Sequence, residues 1–212
     1  MHVMITGANR GIGQALAQRY VNRGDKVTGT ARDGSIQVRL DVSDPVQQSA
    51  MAEQLKDQPI DLLVCNAGVY LDKGHSIDGY PADMWAHSFA VNVTGVFLTI
   101  QTLLPNLRAA GGKIAILSSK MASHTLAPGG SYIYRASKAA ALNLGRNLAM
   151  DLKDDGIAVG IYHPGWVQTD MGGAAADIDV DQAVSGLIER FDALSLSTTG
   201  CFETYDGQPH AY

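Results

Sequence analysis

Short, nearly unbroken apolar runs recur along the chain at 2–6, 26–31, 36–40, 61–65, 113–117, 157–162 and 201–205. A strand with one wet face would alternate apolar and polar residues. Continuous runs of this length suit strands buried on both faces of a parallel sheet. Between them lie stretches of helical spacing, over 11–23, 45–56, 81–107, 134–153 and 180–190. Strands alternating with helices predict an α/β chain: one doubly wound domain over 1–212, with a seven-stranded parallel sheet and helices on both faces. One crossover is short. Only residues 32–35 separate the second and third runs, too few for a helix and its turns. A brief extended return beside shortened strands is expected there.

Composition narrows the function classes. Apolar residues are 46% of 212, enough for a sizeable core, and the formal net charge is −5. With no basic stripe, nucleic acid is not expected as a partner. No unbroken apolar run approaches the length of a membrane span, and the first residues show no leader pattern. Two distant cysteines, Cys65 and Cys201, make neither a disulfide scaffold nor a zinc pattern. The six histidines include no pair at ligand spacing, so no metal is expected. These readings together point to a cytoplasmic protein.

The first candidate chemistry is T6-G-A-N-R-G-I-G13, between the first strand and the first helix. Glycines there let the backbone approach a dinucleotide pyrophosphate, and a helix N-terminus offers it unpaired N–H groups. The spacing is G-x-x-x-G-x-G rather than G-x-G-x-x-G. The second is Y134-x-x-x-K138, which puts a phenol and an ammonium on one helix face. A free tyrosine titrates near pH ~10. A neighbouring ammonium is expected to lower that value and make the phenol a usable acid.

Other motifs follow in order: C65-N-A-G68, V91-N-V-T-G95, S118-S119 and H163-P-G-W-V-Q-T-D-M171. On this set the chain resembles the short-chain dehydrogenase/reductase family from Thr6 to Gly207. The G200-C-F-E-T-Y-D-G207 ending and the long loop before Tyr134 resemble a branch of small reductases with C-factor and sniffer-type carbonyl reductases. The resemblance implies a Rossmann fold and hydride transfer between a nicotinamide and a carbonyl or alcohol carbon. It implies catalytic Asn92, Ser119, Tyr134 and Lys138, with Ser118 a competitor for the serine role. It places cofactor contacts at Gly7, Asn9, Arg10, Gly11, Ile12 and Gly13. Further contacts fall at Arg32, Asp41, Val42, Asn66, Ala67 and Gly68. Tyr134, Lys138, Pro164, Gly165, Val167 and Thr169 complete the set.

The second strand runs to Ala31-Arg32, with no carboxylate at its last residue, and Arg10 precedes Gly11. Two guanidiniums could clamp a 2′-phosphate, which favours NADP(H) over NAD(H). Asp33 is the competing feature. His163, before a proline, reads as structural. Tyr70, Trp85, His124, Leu126, Tyr132 and Trp166 are candidate pocket walls for a small carbonyl or alcohol substrate. Residues 172–180 read as a short, mobile lid. The family implies a homodimer through the 81–107 and 134–153 helices. A non-catalytic NADP(H) sensor and a C-factor-like signalling protein are the alternative readings.

Overall fold

The computed structural model describes all 212 residues. Seven strands form one parallel sheet: β1 (His2–Ile5), β2 (Lys26–Ala31), β3 (Val38–Arg39), β4 (Leu62–Cys65), β5 (Lys113–Leu117), β6 (Ala158–His163) and β7 (Phe202–Thr204). Their spatial order is β3-β2-β1-β4-β5-β6-β7. The order reverses between β1 and β4, which opens a crevice at the carboxyl edge of the sheet. The short crossover behaves as its length requires. β3 holds only two residues, paired in parallel with Thr30 and Ala31.

Because side chains alternate across a strand, each central strand feeds two cores. Val3, Ile5, Leu62, Val64, Ala115 and Leu117 meet α1 (Gly11–Asn22) and α6 (Val180–Ala193) on one face. Met4, Leu63, Cys65, Ile114 and Ile116 face the other core. There α2 (Pro45–Gln54), α4 (Gly95–Ala110) and the end of α5 (Tyr132–Asp151) pack. Local chemistry sets several helix ends. Asp44 accepts from the Val46 and Gln47 N–H groups at the start of α2, and Pro45 opens that helix. Gly111 ends α4 at φ 57°, left-handed backbone that glycine adopts without strain.

Two predicted helices differ from expectation. The 81–107 stretch is three pieces: α3 (Ala82–Phe89), a π-helical turn (Ala90–Thr94) and α4. By length and composition alone, the 29-residue run Ala82–Ala110 is apolar enough to cross a membrane. Its Val91, Val96, Ile100, Leu103 and Leu107 lie in the core beneath the sheet. The second difference is at α5, which begins at Tyr132, two residues before Tyr134. Residues 172–180 are also less loose than expected. The Gln168 N–H donates to the Ile178 carbonyl, the Ile178 N–H donates to the Trp166 carbonyl, and Val167 pairs with Ile178 as a parallel bridge.

Candidate active site

Every strand that reaches the crevice delivers site residues just past its carboxyl end. After β1, the glycine turn carries Gly7 at φ 66° and Gly11 at φ 54°. A Cβ on Gly13 would strike the Gly7 carbonyl oxygen. Asn66, after β4, donates from Nδ2 to the carbonyls of Thr6 (2.8 Å) and Gly7 (3.0 Å). The Thr6 hydroxyl in turn accepts from the Asn66 and Ala67 N–H groups. The turn is thus held open from the neighbouring strand. No side chain caps the start of α1, and its first turn has no acidic residue. Those N–H groups and the positive end of the helix dipole are left for an anion. Ile12 lines the cavity beside this turn.

The adenosine end is built at β2 and β3. Arg32 is exposed just past β2. Asn9 donates to Asp33, which also accepts from the Ser35 N–H and hydroxyl. Arg10 pairs with Asp170 at 3.0 Å, with both side chains largely in solvent. An exposed pair of this kind contributes under ~1 kcal/mol, so it is a weak competitor for a phosphate. Asp41 accepts from the Ser43 N–H (3.0 Å) and hydroxyl (2.6 Å), holding the loop that carries Val42. Val42 packs on α4 at Gly95, where any Cβ would clash with it.

The reacting groups converge between β4, β5 and α5. Tyr134 and Lys138 are both buried, and the Lys138 Nζ lies 5.7 Å from the Tyr134 ring centroid. Lys138 donates to the Leu117 carbonyl at 2.9 Å. The two serines separate cleanly. Ser118 donates to the Lys138 carbonyl at 3.0 Å and so ties β5 to α5. The Ser119 hydroxyl accepts from the Met121 N–H at 3.1 Å and lines the same cavity as Tyr134. Ser123, 11 residues before Tyr134, uses its hydroxyl locally, accepting from the Thr125 and Leu126 N–H groups.

Asn92 sits in the π-helical turn. Its Oδ1 accepts from the Val69 N–H (2.8 Å), and its Nδ2 donates to the Val69 carbonyl (2.9 Å) and the Ser137 hydroxyl (3.0 Å). A π-turn inserted in a long helix commonly marks a functional position. Gly68 lies flush against this group: a Cβ there would sit 3.2 Å from Asn92 Oδ1 and 3.4 Å from Lys138 Nζ.

Burial controls the ionisation of these groups. It pushes the Tyr134 phenol up to about 12 and the Lys138 ammonium down to about 8. The expected depression of Tyr134 by Lys138 is therefore overturned. Desolvation of the phenolate outweighs the lowering influence of nearby Ser119, and the charge of Asp72 adds to the rise. Burial likewise drives His163 down to about 3, so its imidazole is neutral. His163 lines the cavity, as do Pro164, Gly165, Val167 and Thr169. The Thr169 hydroxyl accepts from the Gly172 N–H and donates to the Val167 carbonyl.

The cavity has a volume of about 290 Å3. Of the expected walls, Tyr70 and Trp166 line it. Trp85, His124, Leu126 and Tyr132 do not. Tyr132 points outward and meets Tyr80 edge-on at 5.4 Å, because it stands half a turn from Tyr134 on α5. Trp85 stacks along its own helix on Phe89.

Sequence reasoning missed Asp72. It is fully buried, and its carboxylate accepts from the Ile133 and Tyr134 N–H groups at the start of α5. Tyr70 completes the arrangement: its ring stacks on Tyr134 at 4.2 Å, and its hydroxyl bonds Ser131. Asp72 lies 61 residues from Ile133 along the chain, so no local motif announces this cap.

The family model for short chain dehydrogenases matches residues 1–178. The chain belongs to this family. Among curated relatives, C-signal of Myxococcus xanthus is 37% identical over 160 residues, covering 74% of this chain and 96% of that one. Among solved structures, NADPH-bound carbonyl reductase from chicken fatty liver superposes with a TM-score of 0.90. It is 30% identical and covers 100% of this chain and 98% of its own. The carbonyl reductase Sniffer of D. melanogaster superposes at 0.93, with 26% identity and coverage of 100% and 99%. These matches bear out the family, the small-reductase resemblance and the doubly wound parallel fold.

Proposed function

We propose that this short-chain dehydrogenase is an NADP(H)-dependent carbonyl reductase, one domain over 1–212, acting reversibly on a small carbonyl or alcohol. The observation that carries this reading is that Ser119 and Tyr134 line one cavity beside the glycine turn, with the Lys138 Nζ buried behind them 5.7 Å from the Tyr134 ring centroid. The cofactor half rests on the open helix N-terminus, the flush glycines and the two arginines, and on the NADPH held by the chicken-liver relative. Gly7, Asn9, Gly11 and Gly13 would face the pyrophosphate, and Arg10 and Arg32 the 2′-phosphate. Asp41 and Val42 would border the adenine. Asn66, Ala67, Gly68, Pro164, Gly165, Val167 and Thr169 would border the nicotinamide half. When bound, NADPH supplies the hydride to the carbonyl carbon.

The chain's own residues handle the proton. Tyr134, neutral because it is buried, gives its phenolic proton to the carbonyl oxygen as that oxygen gains charge. Ser119 donates a hydrogen bond to the same oxygen. Lys138, charged below about pH 8, faces the phenolate left behind and stabilises it. It would also bond the nicotinamide ribose. Asn92 positions the Val69 backbone and Ser137 around this pair.

Tyr134→Phe tests the reading. It removes the proton donor and keeps the ring that stacks on Tyr70. Aldehyde- or ketone-dependent NADPH oxidation should fall at least ~100-fold, while NADPH affinity, followed by its fluorescence, stays within about two-fold. Ordinary turnover by the Phe variant would refute the mechanism. The similarity to C-signal supports a second reading, a signalling protein on the same fold. A wild-type chain that binds NADPH but reduces no member of an aldehyde, ketone and quinone panel would favour it.

A further inference from the structure

Resting on the reductase reading, we infer that the preferred substrate is an anionic carbonyl compound: an apolar body bearing a carboxylate or sulfonate away from the reacting carbon. The cavity wall carries the argument. Near Tyr134 it is apolar and aromatic, with Tyr70, Met121, Trp166 and Met171. Two further side chains on the wall are Lys73 and Lys120. No aspartate or glutamate lines the cavity, although carboxylates outnumber cations in the chain and the net charge is −5.

Both lysines are uncommitted. None of the seven ion pairs includes either one. Arg10, also exposed beside the crevice, is instead paired with Asp170. Lys120 follows Ser119 directly, at the carboxyl end of β5, and its charge is among those that disfavour protonation of His163. Lys73 leans on the far wall, with Nζ 3.9 Å from the place a Cβ would take on Gly173. The one other titratable wall group beyond Tyr70, Tyr134 and these lysines is His163, which is neutral. The charged side chains on the wall itself are therefore both cationic, and the carboxylates that act on it, Asp72 on Tyr134 and Asp206 on His163, stand outside the lining. Such a field concentrates anions in the cleft and weakens with salt.

The test compares 4-formylbenzoate with its neutral methyl ester as substrates, with NADPH and the full chain. The ester withdraws electrons more strongly, so intrinsic reactivity favours the ester. Wild-type enzyme should prefer the acid in kcat/KM at low salt. The acid-to-ester ratio should fall roughly ten-fold in Lys73→Gln/Lys120→Gln, through KM, and should fall similarly for wild type in 0.5 M salt. A ratio unmoved by both the substitutions and salt overturns the inference. The salt arm decides alone if the double variant does not fold. If neither aldehyde is reduced, the reductase reading fails by itself. The inference is then judged by calorimetric binding of 4-(hydroxymethyl)benzoate and its methyl ester to wild-type chain. Tighter, salt-sensitive binding of the acid supports it, and equal affinities overturn it.

Discussion

At Lys138 the cost of burial can be read directly from pH. The buried amine releases its proton near pH 8, while the unfolded chain holds it to about 10.5. Between those values the unfolded state binds more protons, so stability rises with pH across that window. A Lys138→Met variant has no such group. The stability of wild type relative to this variant should therefore climb by about 3 kcal/mol from pH 7 to pH 10.5. Urea unfolding of both proteins at several pH values measures it, and a flat difference would show that the amine is hydrated. Tyr134 shows why pattern alone misjudged the pair. The i, i+4 spacing correctly put both groups on one face. It carried no information on burial, which reverses the direction in which the phenol shifts.

The start of α5 is where an element, rather than a residue, sets the geometry. Its N-cap residue, Ser131, sits at φ 49° and makes no side-chain cap bond. The cap comes instead from Asp72, whose carboxylate meets the Ile133 and Tyr134 N–H groups and the positive end of the helix dipole. Asp72→Ala should cost about 2 kcal/mol in denaturant unfolding, since it strands buried donors. It should also lower kcat, because Tyr134 sits in that first turn. Asp72→Asn keeps an acceptor oxygen and should recover most of the stability. An alanine variant with an unchanged midpoint would remove Asp72 from this account. The π-helical turn at Asn92 belongs to the same scale. Periodicity predicted one long helix there, and the packing of Asn92 on Val69 and Ser137 inserted the wider turn.

For the whole molecule, a homodimer through the 81–107 and 134–153 helices, as the family resemblance implies, would use the outer faces of α4 and α5. Phe97 on α4 is 38% exposed and Met150 on α5 is 71% exposed, large apolar groups on helices whose inner faces already fill the core. A dimer formed through these helices would cover both side chains. Light scattering should give the mass of two chains, and Phe97→Glu should return it to one. A wild-type monomer at micromolar concentration would count against the dimer.

The sequence by itself determined the strand and helix alternation, the glycine turn and the Tyr134–Lys138 face. Each is set by local periodicity or by motif spacing, which short stretches of chain carry in full. Tertiary structure alone tied the Ser118 hydroxyl to the Lys138 carbonyl, moved Tyr132 out of the cavity, set Asp72 under the start of α5, and brought Lys73 and Lys120 to the cavity wall. Those outcomes depend on strand ends and loops distant in sequence meeting at one sheet edge, and on how much water that meeting excludes.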